Sequence, residues 1–259
     1  MRIIHWAGDS TNTCNKANKY PQTGIAQAFD RFTAPDVVIY DHAINGRSTK
    51  SFIDQGRLDR IDSEMGSITG VTQYLFIQFG HNDEKVIDPE RYTDPDTTFI
   101  ENLGRFAEVA RRHGAVPLFI TPIERRNFEP DHVTMKESTH KAYVEAYYKA
   151  AERFDVSLID LCMASRRFLE SVGDEPSKRY FMHVAPGEVF WLPDGLSTDN
   201  THLKYEGAMK FGELLAREML KRGEPYSSLI DAEVIKDLDA FHGSNAEDEG
   251  VADEYGKEN

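Results

Sequence analysis

A serine becomes a nucleophile when a base takes its proton, a carboxylate orients that base, and N–H donors await the oxyanion. The 259-residue chain carries each of these types where a fold could gather them. Ser10 follows the apolar run 1–7, behind Gly8 and Asp9 and ahead of Thr11. If that run is a buried strand, the hydroxyl stands at its carboxyl end, where open α/β sheets bind ligands. A serine there equally suits a turn or a helix N-cap. No Gly-x-Ser-x-Gly occurs, which excludes the usual α/β-hydrolase elbow.

Asp199 and His202 are three apart in the polar stretch 197–203, which reads as a loop leading into the last long helix. Such a turn can present a carboxylate to one imidazole nitrogen and leave the other facing a serine. Taken singly, Asp199 fits a helix cap and His202 a surface position. Gly46 and Asn82, with the Ser10 N–H, are the candidate oxyanion donors. Glycine lets the main chain approach a ligand, and an asparagine amide can be aimed at developing charge. Both residue types also serve simply as turn formers.

Elements that would position these residues alternate along the chain. Short β-branched or aromatic runs at 3–6, 37–40, 74–78, 116–120 and 156–159 alternate with helical patterns. The expected fold is α/β: one three-layer α/β/α sandwich with a five-stranded parallel sheet. Helices are expected at 97–113, 135–153 and 205–221, with a short terminal one over 227–241. Gly114 closes the first and Gly223 with Pro225 the third. Each candidate residue then falls in a loop after a strand or just ahead of a helix.

Composition narrows the partners. Thirty basic against 44 acidic residues leave a formal charge of −14, which disfavours nucleic acid and anionic membrane. Cys14 and Cys162 lie far apart with no metal-ligand spacing, so neither a disulfide framework nor a metal site is expected. No run is long enough to span a membrane, and no apolar leader precedes Trp6. The chain as given therefore reads as cytoplasmic, or as a mature form relieved of a leader. Residues 243–259 carry six acids and one lysine and read as a solvated, disordered tail.

Gly8 to Ser10, a loop glycine, Gly80 to Asp83 and the late Asp199 and His202 occur in an order that resembles the SGNH (GDSL-like) hydrolase superfamily. The likeness covers residues 1–222, leaving 223–242 as a C-terminal extension and 243–259 as the tail. Within it the chain is similar to the rhamnogalacturonan acetylesterases. The blocks that carry this are 8–11, 20–24, 45–48 with Ser51 and Phe52, 80–83, and Thr121 and Pro122 followed by Arg125 and Arg126.

That resemblance implies a flavodoxin-like fold and a carboxylic ester hydrolase that needs no cofactor. Ser10 would be the nucleophile, Asp199 and His202 the rest of a triad, and Gly46 and Asn82 oxyanion donors. The substrate would be an O-acetylated, galacturonate-containing pectin fragment; no oligomeric state is read from it. Arg47, Arg125 and Arg126 are candidate partners for a galacturonate carboxylate, because a guanidinium fork suits one. Structural ion pairs would account for them equally well. Trp191 with Phe190 suits a sugar-stacking wall or a core position, and His81 suits a pocket or a structural role. Lys16 and Lys19 fall in the expected mouth and depart from a generic pattern.

Three rival readings remain. Asp9, Asn82, Asp83 and His202 include the ligand types of a metal-dependent phosphoesterase, though no Asp-x-His follows the first strand. A non-catalytic carbohydrate-binding relative would share the scaffold. A lipase, thioesterase or xylan deacetylase of the same superfamily would share the chemistry on another ester.

Overall fold

The computed structural model describes residues 1–189, 191 and 197–240. Five parallel strands form the central sheet: β1 (Arg2–Gly8), β2 (Val37–Asp41), β3 (Thr72–Gln78), β4 (Val116–Ile120) and β5 (Ser157–Ile159). Their spatial order is β2-β1-β3-β4-β5. From β1 the chain winds one way to β2, and the remaining strands extend the other way from β3. That reversal places the sheet's switch point between β1 and β3, where loops splay apart at the strands' carboxyl ends and leave a crevice.

Alternation along the strands builds both faces at once. Ile4 and Trp6 of β1, Tyr74 and Phe76 of β3, and Leu118 and Ile120 of β4 enter one core, against the helices Leu161–Val172 and Tyr205–Arg222. Ala7, Leu75, Ile77 and Phe119 enter the other, against Arg57–Ser67, Thr98–Arg112 and Lys141–Phe154. A strand covered on both sides loses its polar face, which is why these runs are almost continuously apolar.

Differences from the sequence-based expectation have local causes. The helix expected from residue 135 begins at Lys141, because residues 128–135 instead form a small hairpin bridged at Phe128 and Met135. Asp131 stabilises that turn by accepting from the N–H groups of Val133 and Thr134. Stretch 197–203 is not a loop. It is strand β7 (Ser197–Leu203), antiparallel to β6 (Phe181–Val184) in a two-stranded ribbon.

Beyond residue 222, Tyr226, Leu229, Ile230 and Ile235 are buried in the first core. Residues 232–240 are helical, so residues 223–240 share the core of the sheet domain. The expected acidic tail and the Phe190 half of the aromatic wall lie outside the described residues. No helix among the described residues is long and apolar enough to cross a membrane.

Candidate active site

Strand β1 stops at Gly8, and the chain turns at once. The buried carboxylate of Asp9 accepts from the Thr11 N–H at 2.9 Å and hydroxyl at 2.8 Å, while its main-chain carbonyl accepts from the N–H groups of Asn12 and Thr13. Burial alone would raise the Asp9 carboxyl, but the nearby His81 and Thr11 outweigh it and hold it below its ordinary range. This turn leaves Ser10 lining the crevice, with only 7% of its surface exposed.

His202 reaches that hydroxyl from the opposite wall: Nε2 lies 2.9 Å from Ser10 Oγ. Nδ1 of the same ring lies 2.6 Å from Asp199 Oδ2. The other oxygen of Asp199 accepts from the N–H groups of Thr201 at 2.8 Å and His202 at 3.0 Å. Partial burial pushes the carboxyl up. His202 and those N–H groups more than reverse this, bringing it to about 2. An ionised Asp199 fixes the proton on Nδ1, so Nε2 faces Ser10 as an acceptor.

The crevice between these walls has a volume of about 490 Å³. Gly46 and Asn82 line it with Ser10 and His202. Gly46 has φ +74°, a conformation that side chains disfavour, and the loop after β2 thereby turns its backbone toward the site. Neither the N–H of Ser10 nor that of Gly46 has a hydrogen-bond partner among the described residues. Asn82, almost fully buried, donates from Nδ2 to the Arg47 carbonyl at 3.1 Å, which fixes the amide plane and leaves its second hydrogen unspent. Three N–H donors without protein acceptors thus border one space beside a serine.

The other candidates separate. His81 lines the crevice but is deeply buried; burial first, then the neighbouring His140, lowers it to about 4, so the ring is neutral near pH 7. Lys19 lines the crevice, whereas Lys16 lines a neighbouring groove. Trp191 does not line it. Its indole donates to the Tyr20 carbonyl at 3.0 Å, its ring packs against Met182, Val184 and Val189, and Lys19 Nζ sits 4.6 Å from the ring centre.

All three arginines expected to meet a substrate carboxylate are otherwise engaged. Arg126 is 4% exposed and is held by Asp174, Ser177 and Asn200, which leaves no face for a ligand. Arg125 borders the crevice but spends its fork on Glu84, Thr201 and the His81 carbonyl. Arg47 lines an adjacent groove and donates to Gln55 and the Asn45 carbonyl.

Lys85 and Arg91, two further cations that line the crevice beside Lys19, were not singled out from the sequence. Arg91 pairs with Asp88 at 3.1 Å, and its guanidinium lies close over Gly46. Lys85 has no carboxylate in ion-pair reach among the described residues, and burial, then Arg91 and Arg125, lowers its ammonium. The available signal was position: both follow Asn82 in the loop after β3, the strand beside the switch point.

Asp83 offers little to a metal. Its carboxylate accepts from the Thr49 N–H and hydroxyl and from the Thr93 hydroxyl, and burial raises it to about 7. Among the described residues no three His, Cys, Asp or Glu side chains are grouped to hold a metal ion.

A 2-1-3-4-5 parallel sheet, with a serine after its first strand and an Asp/His pair just ahead of its last long helix, defines an SGNH-type hydrolase. The chain belongs to the GDSL-like lipase/acylhydrolase family, which it matches over residues 7–209. It is 38% identical to the rhamnogalacturonan acetylesterase RhgT of Bacillus subtilis (strain 168) over 224 residues, 86% of this chain and 91% of that one. Identity to the probable rhamnogalacturonan acetylesterase YesY of the same organism is 33% over 227 residues, 88% of this chain and 96% of that one.

Among solved structures, the B. subtilis protein YxiM superposes with a TM-score of 0.70 at 22% identity over 87% of this chain. The chain spans 58% of the length of that protein. An acetyl-xylooligosaccharide esterase from Geobacillus superposes with a TM-score of 0.54 at 14% identity, over 85% of this chain and 92% of that one. These two likenesses concern the fold.

Proposed function

We propose that the protein is a serine carbohydrate esterase that removes O-acetyl groups from a plant cell-wall polysaccharide, acetylated rhamnogalacturonan or its fragments above all. The observation that carries the reading is the 2.9 Å contact of His202 Nε2 with Ser10 Oγ, backed by Asp199 on Nδ1. The 38% and 33% identities to the two Bacillus proteins support the acetylated pectin substrate.

The chemistry is a two-step acyl transfer. Ser10 Oγ attacks the acetyl carbonyl carbon as its proton passes to His202 Nε2, and Asp199 stabilises the resulting imidazolium. The N–H groups of Ser10 and Gly46 and the Asn82 amide receive the oxyanion. Collapse breaks the bond to the sugar oxygen, which takes the proton from His202 and leaves an acetyl-serine. Water, deprotonated by His202, then attacks this ester, and acetate departs as Ser10 recovers its proton. Proton transfers on the enzyme run only between Ser10 and His202, and the acetic acid formed ionises by giving one proton to solvent, so the sequence of steps calls for no cofactor.

Lys19, Lys85 and Arg91 give the crevice a cationic rim in a chain of net charge −14. This favours a substrate with carboxylates near its acetyl group, as galacturonate has, and disfavours long acyl chains. Asp83, committed to Thr49 and Thr93, weighs against the metal-dependent phosphoesterase reading.

The test is an acetate-release assay on acetylated pectin, acetylated xylan and a small aryl acetate, run beside Ser10→Ala. Release from pectin and the aryl ester, lost in Ser10→Ala, is the expected result. Turnover surviving in Ser10→Ala removes the nucleophile assignment. Binding of pectin fragments without release from any acetyl ester by the unaltered protein makes it a binding relative, and preference for xylan changes the substrate.

A further inference from the structure

The paired arginines after β4 are spent on protein, and what they hold is the segment that presents the base. The Arg126 N–H donates to the Asn200 carbonyl at 2.9 Å, and its side chain reaches Asn200 Oδ1 at 3.0 Å. Arg125 donates from Nη1 to the Thr201 hydroxyl. Asn200 and Thr201 are the two residues between Asp199 and His202. The Thr201 N–H in turn donates to Asp199 Oδ1 at 2.8 Å, so a line runs from the Arg125 guanidinium through Thr201 to the carboxylate that orients the imidazole.

The same guanidinium reaches across to the segment that carries Asn82. Its Nη2 donates to the His81 carbonyl at 3.3 Å and to Glu84 Oε1 at 2.8 Å, and Nε donates to that oxygen at 3.2 Å. Glu84 is anchored from behind by His140 Nδ1 at 2.8 Å. Although burial opposes ionisation of Glu84, His140 and Arg125 bring it to about 2. Arg125 therefore has a permanent counter-charge and protein acceptors on all three nitrogens, which leaves it poorly suited to grip a substrate carboxylate.

We propose that Arg125 is a positioning residue: through Thr201 and the His81 carbonyl it fixes the distance between the His202 and Asn82 segments across Ser10. Those segments lie far apart in sequence, and the fork joins them at the wall of the crevice. Reacting groups lose about 10²-fold in rate for a 1 Å misplacement. A brace that sets both the base and an oxyanion donor acts on the chemical step rather than on substrate affinity.

The inference rests on the esterase reading, and the experiment keeps the two apart. Arg125→Lys, Thr201→Val and the double variant are assayed on a neutral aryl acetate and on acetylated pectin fragments, with unfolding midpoints as a folding control. Arg125→Lys keeps the charge and loses the fork; Thr201→Val keeps the shape and the N–H and loses the acceptor. Each is expected to lower kcat roughly 10- to 100-fold on both substrates with KM within about twofold. The double variant is expected to be no worse than the poorer single, because both changes cut one line.

Loss confined to KM on the acidic substrate would make Arg125 a substrate contact and overturn the proposal. Multiplying single effects, or an unchanged kcat, would overturn it as well. If Arg125→Lys does not fold, Thr201→Val alone decides, with wild-type kcat on the aryl ester as the overturning result. Failure of the esterase reading would appear separately, as absence of aryl acetate turnover in the unaltered protein.

Discussion

Asp199 Oδ2 lies 2.6 Å from His202 Nδ1 although the two residues are only three apart on one strand. Oδ1 turns back to accept from two N–H groups of the same segment, so the carboxylate is locked by its own backbone before it meets the imidazole. That geometry makes the tautomer of His202 depend on Asp199 being ionised. Asp199→Asn puts an amide at the same place, and an N–H facing Nδ1 moves the ring proton to Nε2, where it no longer accepts from Ser10. The expected loss in kcat on an aryl acetate is about 10³–10⁴-fold, with KM little changed. A loss under about tenfold would show that the carboxylate does not govern the base.

Asn82 is held by one amide hydrogen to the Arg47 carbonyl, leaving the other for the crevice. If that hydrogen meets the oxyanion, Asn82→Ala should lower kcat by about 10²–10³ with KM nearly constant, the cost of one oxyanion donor. Steady-state kinetics on a soluble acetyl ester reads this directly. A change confined to KM would place Asn82 on the substrate ground state and take it out of the oxyanion hole.

The sheet was legible because its strands are short, apolar and separated by helical periods. Val116–Ile120 begins and ends where the pattern puts it. Ser10 stood out because it follows such a run at once, and Asp199 and His202 because their spacing is chemical. The strand character of 197–203 was hidden: its residues are polar, and their pairing is with β6, contacts that no periodicity encodes. Arg125 and Arg126 misled for a related reason. A guanidinium advertises carboxylate binding in any sequence, yet whether the carboxylate is a ligand's or that of Glu84 and Asp174 is decided by the fold. Lys85 and Arg91 were overlooked because a lysine and an arginine in a charged loop look like solvated surface.

Those two cations should determine preference among esters. Lys85→Gln and Arg91→Ala each remove a positive charge from the crevice rim without touching Ser10, His202 or Asp199. A charge-assisted hydrogen bond contributes about 1.5–3 kcal/mol, so kcat/KM on acetylated galacturonate-containing oligosaccharides should fall tenfold or more. On a neutral aryl acetate it should stay within about twofold. Added salt should raise KM for the acidic substrate and leave the neutral one alone. Equal losses on both substrates would assign the pair to scaffolding.

His81 gives the fold an acid-sensitive element beside the crevice. Its buried ring titrates at about 4, against about 6.5 for an unfolded chain. Between those values the unfolded chain binds a proton that the native ring refuses, so the stability conferred by the neutral ring is complete above about pH 6.5 and is lost as pH falls toward 4. Removing the ring removes this dependence. The stability of the unaltered protein relative to His81→Gln should therefore decline by at most about 1.4 kcal/mol per pH unit across that window and level off below it. Urea unfolding of both proteins at pH 7, 5.5 and 4 measures the difference. A flat difference would mean that the native ring keeps its ordinary proton affinity, and one that grows on acidification that His81 is charged in the native state and paired with Asp9, which faces its Nδ1 at 3.4 Å.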